Sequence, residues 1–242
     1  AALDGCDLVI DAIGLPPAQM DRHPDTARML AAVLADTGAR CLQVSSFWCY
    51  MPLTDLPVSE SHPRVGGPPW ARIRRETEDI LRDAGAGIVH LPDFFGPGVH
   101  TSTLQMPLAE AAAGRTMHWI GATDVGREYV YVPDAARAVA DLAGHPQAFG
   151  DDWIVPGAGP ITGDAVAAIL SDLLGRPVKA RGAGPGLLRL IGLFKPDLRA
   201  FNQLVPEYVK PVRYDGSKLE ALTGPRDPTP YREAFEATLS AL

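Results

Sequence analysis

The sequence predicts an α/β protein built on a parallel sheet, with a smaller α/β lobe towards the C-terminus. Two observations carry this prediction. Short, nearly continuous apolar runs such as Asp7–Gly14 and Gly87–Leu91 are typical of buried parallel strands. Stretches with helical spacing lie between these runs, and strands that alternate with helices are typical of a parallel sheet with right-handed crossovers.

The first half of the chain follows the order strand, helix, strand, helix, strand. The helix predicted over 25–37 has apolar residues at helical spacing and Gly38 at its C-cap position. The second helix, 70–84, has an amphipathic pattern. Its apolar face is formed by Ile73, Thr77, Ile80, Leu81 and Ala84. The strands are predicted at 7–14, 40–46 and 87–91, and a loop rich in proline and glycine at 51–69.

The second half is more mixed. Thr162 is expected to cap a helix over 163–174 that Gly175 ends, and the Gly/Pro stretch 182–186 is predicted to be a mobile joint. Further strands are predicted at 117–120, 128–132, 153–155 and 177–181, and further helices at 103–113, 134–143, 187–193, 216–222 and 230–241. We expect the segments 128–143 and 153–155 to return to the main sheet. This places a core over 1–155, with an excursion at 101–127, and a small lobe over 156–242.

Composition excludes several classes of protein. The 242 residues include 22 basic and 29 acidic side chains, a formal charge of −7 that disfavours a nucleic-acid partner. No apolar run approaches the ~20 residues of a membrane span, so no membrane partner is expected. The three cysteines are odd in number and have no Cys-x-x-Cys spacing, which suggests reduced thiols in a cytoplasmic protein.

Four segments, in order, carry a resemblance to a known family. They are Asp7–Gly14 (DLVIDAIG), Ser45–Tyr50 (SSFWCY), Leu91–Gly98 (LPDFFGPG) and Tyr129–Ala138 (YVYVPDAARA). This series resembles the extended and atypical short-chain dehydrogenase/reductase family, which includes nucleotide-sugar epimerases and dehydratases. The resemblance implies a Rossmann-like sheet and a small C-terminal lobe that covers the substrate.

The same resemblance implies roles for individual residues. Ser46 falls on the catalytic Ser/Thr position and would hold the substrate oxygen. The end of the first strand, with Ala12 and Gly14, would lie near the adenosine half of NAD or NADP. Pro92, Phe94 and Phe95 would lie against the nicotinamide, and Arg74 would reach the ribose. The implied substrate is small and polar or sugar-nucleotide-like, and a homodimer is a possible assembly.

Two positions depart from the family pattern. The helix after the long loop has Trp70 where the family has its catalytic Tyr and Arg74 where it has the Lys. An indole N–H is a donor only, so Trp70 cannot exchange a proton with substrate. Asp93 is our candidate for that proton. The alternatives left open are a catalytically silent binding or regulatory protein, and for Arg74 a simple helix pair with Glu78.

The glycine-rich loop that opens the family's fold is not found before Asp7. The nearest imitation, Gly182–Gly186, has no second strand–helix–strand unit after it, and a hinge is the better account. The chain also begins without Met, just before what would be the fourth strand. We therefore expect a fragment that is short by about two strand–helix units, roughly 60 residues at ~30 for each unit.

Other candidate residues have simpler readings. Ser46 can equally satisfy a backbone group near its own strand end. His90 lies between Val89 and Leu91, which favours a histidine in the core over a catalytic base. The remaining histidines show no metal-ligand spacing, so no metal site is predicted.

Overall fold

The computed structural model describes residues 3, 5–100, 102–194 and 196–242, with only the backbone at 196 and 197. Within this part of the chain, no helix is long and apolar enough to cross a membrane. The strands are β1 (Leu8–Asp11), β2 (Arg40–Ser46), β3 (Gly87–Leu91), β4 (Asp93–Phe95), β5 (Met117–Ile120), β6 (Arg127–Tyr131), β7 (Asp152–Ile154), β8 (Pro160–Ile161) and β9 (Ala180–Ala183). The helices are α1 (His23–Thr37), α2 (Pro69–Asp83), α3 (Gln105–Ala112), α4 (Val132–Ala143), α5 (Gly163–Leu174), α6 (Pro185–Gly192), α7 (Pro196–Phe201), α8 (Val205–Tyr208), α9 (Ser217–Thr223) and α10 (Tyr231–Leu239), with short 3-10 helices at Pro17–Arg22, Phe47–Tyr50 and Pro146–Ala148.

The chain divides into two compact units. The first comprises Ala1–Leu91, Ala136–Val155 and Asp215–Pro225, and the second comprises Pro92–Ala135, Pro156–Tyr214 and Arg226–Leu242. The predicted division differs in three segments: 92–100 and 128–135 lie in the second unit, and 215–225 lies in the first. The last segment is held there because Lys218 forms an ion pair with Asp151 at 2.6 Å.

The first unit contains the predicted parallel sheet, in the order β1-β2-β3-β7. All three pairings are parallel, so the carboxyl ends of the strands lie at one edge. Helices α1 and α2 pack against each other. A cluster of apolar side chains joins them to the sheet: Ala27, Leu34, Cys41, Leu81, Ala86 and Ile88.

The second unit has a three-stranded sheet in the order β4-β6-β8 and a separate parallel pair, β5 with β9. Strand β6 was expected to return to the main sheet and does not. Pro92 ends β3 because proline has no N–H for the ladder, and Asp93–Phe95, where no strand was predicted, pairs with β6 instead. The core of this unit lies around Phe95, Trp119 and Phe235.

Local signals in the sequence locate most helix ends correctly. Gly38 and Gly175 adopt the left-handed conformation at the ends of α1 and α5, with φ of 70° and 62°. The strand predicted at 177–181 is instead β9, which extends to Ala183. Helix α6 then begins at Pro185 and not at 187, because proline is well suited to a first helical position. Of the predicted joint 182–186, the first two residues thus belong to β9 and the last two to α6, with Gly184 between them.

Thr162 provides a test of the capping signal. Its hydroxyl accepts a hydrogen bond from the Ala165 N–H at 3.1 Å and starts α5. We expect Thr162→Ala to lower the free energy of unfolding by about 1 kcal/mol, measured by urea denaturation. Thr162→Ser keeps the acceptor and should lose much less. Equal losses in the two variants would contradict a capping role.

Candidate active site

The carboxyl end of β1 leaves the sheet through a short polar turn. The Asp11 carboxylate accepts a hydrogen bond from the Ile13 N–H at 3.1 Å, and Ala12 and Gly14 are exposed beyond it. Burial raises the pKa of Asp11, against the lowering effects of that N–H and of Arg74. The residues predicted to lie near a cofactor's adenosine half are thus accessible at the edge where ligands bind in open parallel sheets.

Ser46 ends β2 and is half-buried. Its hydroxyl oxygen accepts a hydrogen bond from the Trp48 N–H at 3.4 Å, and so caps the 3-10 helix Phe47–Tyr50. This is the backbone role that the sequence allowed for it. A hydroxyl that accepts one hydrogen bond still has its own proton to donate. The structural role of Ser46 is therefore compatible with a contact to a substrate oxygen.

Trp70 is the first buried residue of α2. Its ring stacks on Trp48, with the ring centroids 5.5 Å apart and the planes inclined by 21°. Only 7% of Trp70 is exposed. Ser46 caps the short helix that contains Trp48, so this ring pair lies next to the end of β2. Stacked indoles supply apolar surface and donors, but no group that titrates near neutral pH.

Arg74 lies one turn after Trp70 on α2, and its charge acts on both Asp11 and His23. Burial lowers the pKa of Arg74 more than the negative charges of Glu78 and Asp11 raise it. Burial and the Arg74 charge together lower the pKa of His23 to about 4. The Arg74 Nε atom is buried and has no hydrogen-bond partner in the part of the chain that the structure describes.

The second unit holds the remaining predicted site residues. The Asp93 carboxylate accepts hydrogen bonds from the Thr103 N–H at 3.0 Å and from the Thr103 hydroxyl. Burial raises the pKa of Asp93, and the Thr103 hydrogen bonds offset only part of this effect. Pro92 is buried. Phe95 is 1% exposed and packs in the core of this unit, whereas Phe94 presents an exposed ring.

A buried polar cluster lies in the first unit, where α2 meets β2, β3 and the 51–69 loop. Glu78 of α2 has no exposed surface, and it accepts hydrogen bonds from Ser45 and from Arg64, each at 2.5 Å. The Nε2 atom of His90 lies 3.4 Å from the same carboxylate, and its Nδ1 lies 3.1 Å from the Tyr50 hydroxyl. Although burial alone raises the pKa of Glu78, these partners lower it below its usual range.

Two of these arrangements correct expectations from the sequence. His90 is a core histidine, as favoured, but it is not without partners. The carboxylate of Glu78 pairs with Arg64 from the 51–69 loop, and within the described residues no ion pair joins it to Arg74. The apolar face of α2 is also rotated, because charged Arg75 and Glu78 are buried while Ala84 is exposed.

Sequence reasoning missed Arg75 altogether. Its guanidinium donates to the carbonyl oxygens of Cys49, Gly66 and Met51 at 2.6, 2.7 and 2.5 Å, which fastens the Pro/Gly-rich loop to α2. Two weak signals pointed to it. A loop without regular structure needs donors for its carbonyl groups, and Arg75 lies one helical turn after Ala71, a residue of the buried face of α2. Nothing in the local pattern distinguishes it from exposed Arg72.

Three groups of this cluster have the chemistry of metal ligands. One ligand atom each from Cys49, Glu78 and His90 lies within 4.8 Å of the others. However, Arg64 already balances the Glu78 charge. Burial, followed by the Glu78 charge, also raises the pKa of the Cys49 thiol well above its usual range. The absence of a metal site stays a prediction.

The parallel sheet, its flanking helices and the second α/β unit define the class. The chain has a Rossmann-like α/β fold that it shares with solved structures of epimerases and dehydratases. No family model matches the sequence, and no curated protein matches it either.

Three solved structures illustrate the match. UDP-glucuronic acid 4-epimerase from Bacillus cereus, in complex with NAD, has a TM-score of 0.79 at 13% identity, over 99% of this chain and 75% of that one. The dTDP-glucose 4,6-dehydratase from Streptomyces venezuelae, with NAD bound, has a TM-score of 0.76 at 18% identity, over 99% and 74%. An epimerase from Methanothermobacter thermautotrophicus scores 0.79 at 14% identity, over 97% and 71%. The TM-scores show that the fold is shared, and at identities this low the likeness shows the fold alone.

The buried carboxylate can be tested by removing its charge. Glu78→Gln keeps the size of the side chain but leaves the Arg64 cation without its partner, and we expect the free energy of unfolding to fall by about 2–3 kcal/mol. The control is Glu76→Gln on the same helix, which removes an exposed ion pair with Arg28 and should cost less than about 1 kcal/mol. Similar losses in both variants, by urea denaturation, would show that Glu78 is not a structural anchor.

The lowered pKa of Glu78 also predicts a pH dependence. A depressed carboxylate pKa adds stability that is fully present above the unfolded-state value, about 4.3, and is lost as the pH falls through the folded-state value. The stability difference between the wild type and Glu78→Gln should therefore be constant from about pH 7 to 5 and shrink below about pH 4. Urea denaturation across this range measures it, and a difference that grows on acidification would contradict the assignment.

Proposed function

We propose that this chain is an NAD(P)-dependent oxidoreductase or epimerase/dehydratase-like protein of the atypical short-chain type, acting on a small polar or sugar-nucleotide-like substrate. The observation that carries the proposal is where three residues lie: Ser46 ends β2, Trp70 stacks on Trp48 just after that strand, and the Arg74 charge acts on Asp11 at the end of β1. These are the residues that the family resemblance assigns to the catalytic Ser, Tyr and Lys positions. The solved structures of the same fold that contain NAD favour that cofactor, without distinguishing it from NADP.

Arg74 fits a role in holding the cofactor. Its buried Nε is a donor without a protein acceptor among the described residues, and a ribose hydroxyl is an acceptor of suitable chemistry. Ala12 and Gly14 are exposed at the end of β1, where little side chain would obstruct an adenosine group. The bound nicotinamide would supply hydride transfer, and the chain's own residues would bind and orient it.

The roles of the other residues are also proposals. Ser46 would donate its hydroxyl proton to a substrate oxygen. In the second unit, Pro92 and Phe94 would form an apolar wall, whereas Phe95 packs in the core of this unit and would not reach the nicotinamide. Asp93 is the proposed proton donor, because its raised pKa makes the protonated form more available than for an exposed Asp.

A second candidate function is a catalytically silent binding or regulatory protein. It is favoured by buried Trp70, which takes the family's proton-donor position and stacks on half-buried Trp48. Such a protein would bind the dinucleotide and change its own stability without turnover. The two candidates share the binding step and differ only in chemistry.

Cofactor binding is the first test. Titration with NADH and NADPH should quench tryptophan emission, because Trp48 and Trp70 lie in the proposed site. Trp70→Phe should reduce the quenching, whereas Trp119→Phe, in the core of the second unit, should not. A folded chain that binds neither dinucleotide would overturn both candidate functions.

Arg74 provides the second test. Arg74→Gln should weaken dinucleotide binding about tenfold, the loss of a charge-assisted hydrogen bond worth ~1.5 kcal/mol. Arg72→Gln is the matched control, because it removes an exposed charge two residues earlier on the same helix. Equal effects of the two substitutions would indicate general electrostatics instead of a specific contact.

Turnover distinguishes the two candidate functions. For an active enzyme, Asp93→Asn should lower kcat at least about a hundredfold on whichever carbonyl or sugar-nucleotide substrate reacts, with dinucleotide affinity retained. Binding without turnover in the wild type would favour the silent protein. In that case, turnover gained by Trp70→Tyr combined with Arg74→Lys would show that only the proton donor had been lost.

A further inference from the structure

Helix α6 in the second unit and the two residues after it present four large apolar side chains to solvent. Leu187 and Leu190 of the helix are 46 and 56% exposed, and Leu193 and Phe194 just past its end are 61 and 82% exposed. Leu187 and Leu190 have the i, i+3 spacing of a single helix face, and Leu193, three residues later at the C-cap, continues it. A contiguous exposed patch of this kind indicates an interaction surface.

The opposite face of α6 is anchored, so the patch is held in place by tertiary structure. Leu188 is buried in a small cluster with Ala183 and Val205. The Arg199 guanidinium donates to the carbonyl oxygens of Gly192 and Leu193, at 3.1 and 2.7 Å, and so satisfies the C-terminal end of the helix. Leu193 and Phe194 therefore continue the outward face of a fixed helix end.

Basic residues surround this patch in an otherwise acidic chain. The segment 179–199 contains five basic residues and one acid, a local charge of +4, whereas the whole chain has a net charge of −7. Four of the basic side chains are exposed: Lys179, Arg181, Arg189 and Arg199. Exposed leucine and phenylalanine flanked by Lys and Arg are the composition of helices that lie in the plane of a bilayer surface.

The same charge argues against a second copy of this chain as the occupant. A symmetric dimer through this face would place two +4 segments against each other, which costs free energy. The anionic surface of a phospholipid bilayer is complementary in both charge and apolar character. We propose that α6, with Leu193 and Phe194, is an interfacial docking surface for bilayers that contain anionic phospholipids.

This surface does not require a membrane-spanning segment. The sequence led us to expect no membrane partner because it has no run of the ~20 apolar residues that a span needs, and that ground does not apply to a helix lying on the bilayer surface. An eight-residue helix can instead insert one face to the level of the lipid headgroups. Basic side chains at its rim remain in water and contact lipid phosphates.

The test is vesicle flotation of the whole chain. We expect binding to phosphatidylcholine vesicles that contain about 30% phosphatidylserine and little binding to phosphatidylcholine alone, with binding to the anionic vesicles falling as salt is raised. Leu190→Ser and Phe194→Ser should each weaken binding at least about tenfold, because each removes a side chain that would enter the bilayer. Arg189→Gln should weaken it about fivefold.

Met29→Ser is the matched control. Met29 is 72% exposed on α1 of the first unit, so the substitution removes a similar apolar side chain away from the patch and should leave flotation unchanged. The proposal is overturned if the folded wild type floats with neither vesicle. It is equally overturned if the α6 variants float as well as the wild type, or if they abolish self-association measured by light scattering and leave flotation unchanged.

Discussion

Glu78 has no exposed surface, and its carboxylate is held by groups from three parts of the first unit. Ser45 contributes from β2, Arg64 from the loop after it, and His90 lies 3.4 Å away on β3. A buried carboxylate is stable only where its charge and its lone pairs are satisfied. Helix α2 must therefore pack against the sheet, and the loop against α2, in positions that bring these partners to the Glu78 carboxylate.

The candidate site depends on that constraint. Trp70 and Arg74 precede Glu78 on α2 by two turns and one turn, so the anchored carboxylate determines where their side chains project from the helix. Arg75 adds a second fastening by donating to three carbonyl oxygens of the 49–66 segment. Because α2 is tied on both sides, Trp70 is held against Trp48 at the end of β2. The site is thus built on a rigid support, which favours the positioning of a ligand.

The substitutions at the catalytic positions change the chemistry more than the architecture. A Tyr and a Lys can move a proton between them, whereas Trp and Arg can only donate hydrogen bonds near neutral pH. The fold, the strand-end serine and the helix-borne cation nevertheless remain. Under the proposed function, these features would hold a dinucleotide. Under the proposed function, any proton transfer would come from a residue outside the usual pair, and Asp93 is the residue that we propose for it.

The extent of successful prediction follows from the range of the forces involved. The strands Arg40–Ser46, Gly87–Leu91 and Met117–Ile120 and the helix 163–174 could be predicted residue for residue, because apolar periodicity, caps and left-handed glycines are local signals. The fold and the positions of Ser46, Trp70 and Arg74 on their elements followed from motifs in order. The sheet to which β6 belongs could not be predicted, since a strand's pattern does not name its partner.

The sequence by itself determined the order of strands and helices, the parallel sheet and the departure at Trp70, since each is encoded within a few neighbouring residues. Only the tertiary structure decided that Glu78 and Arg75 face inward while Leu190 and Phe194 face outward. The physical reason is that a charge can be buried only when a distant partner comes to meet it. Arg64 is fourteen residues from Glu78 in the chain, and its charge reaches the carboxylate only in the folded unit.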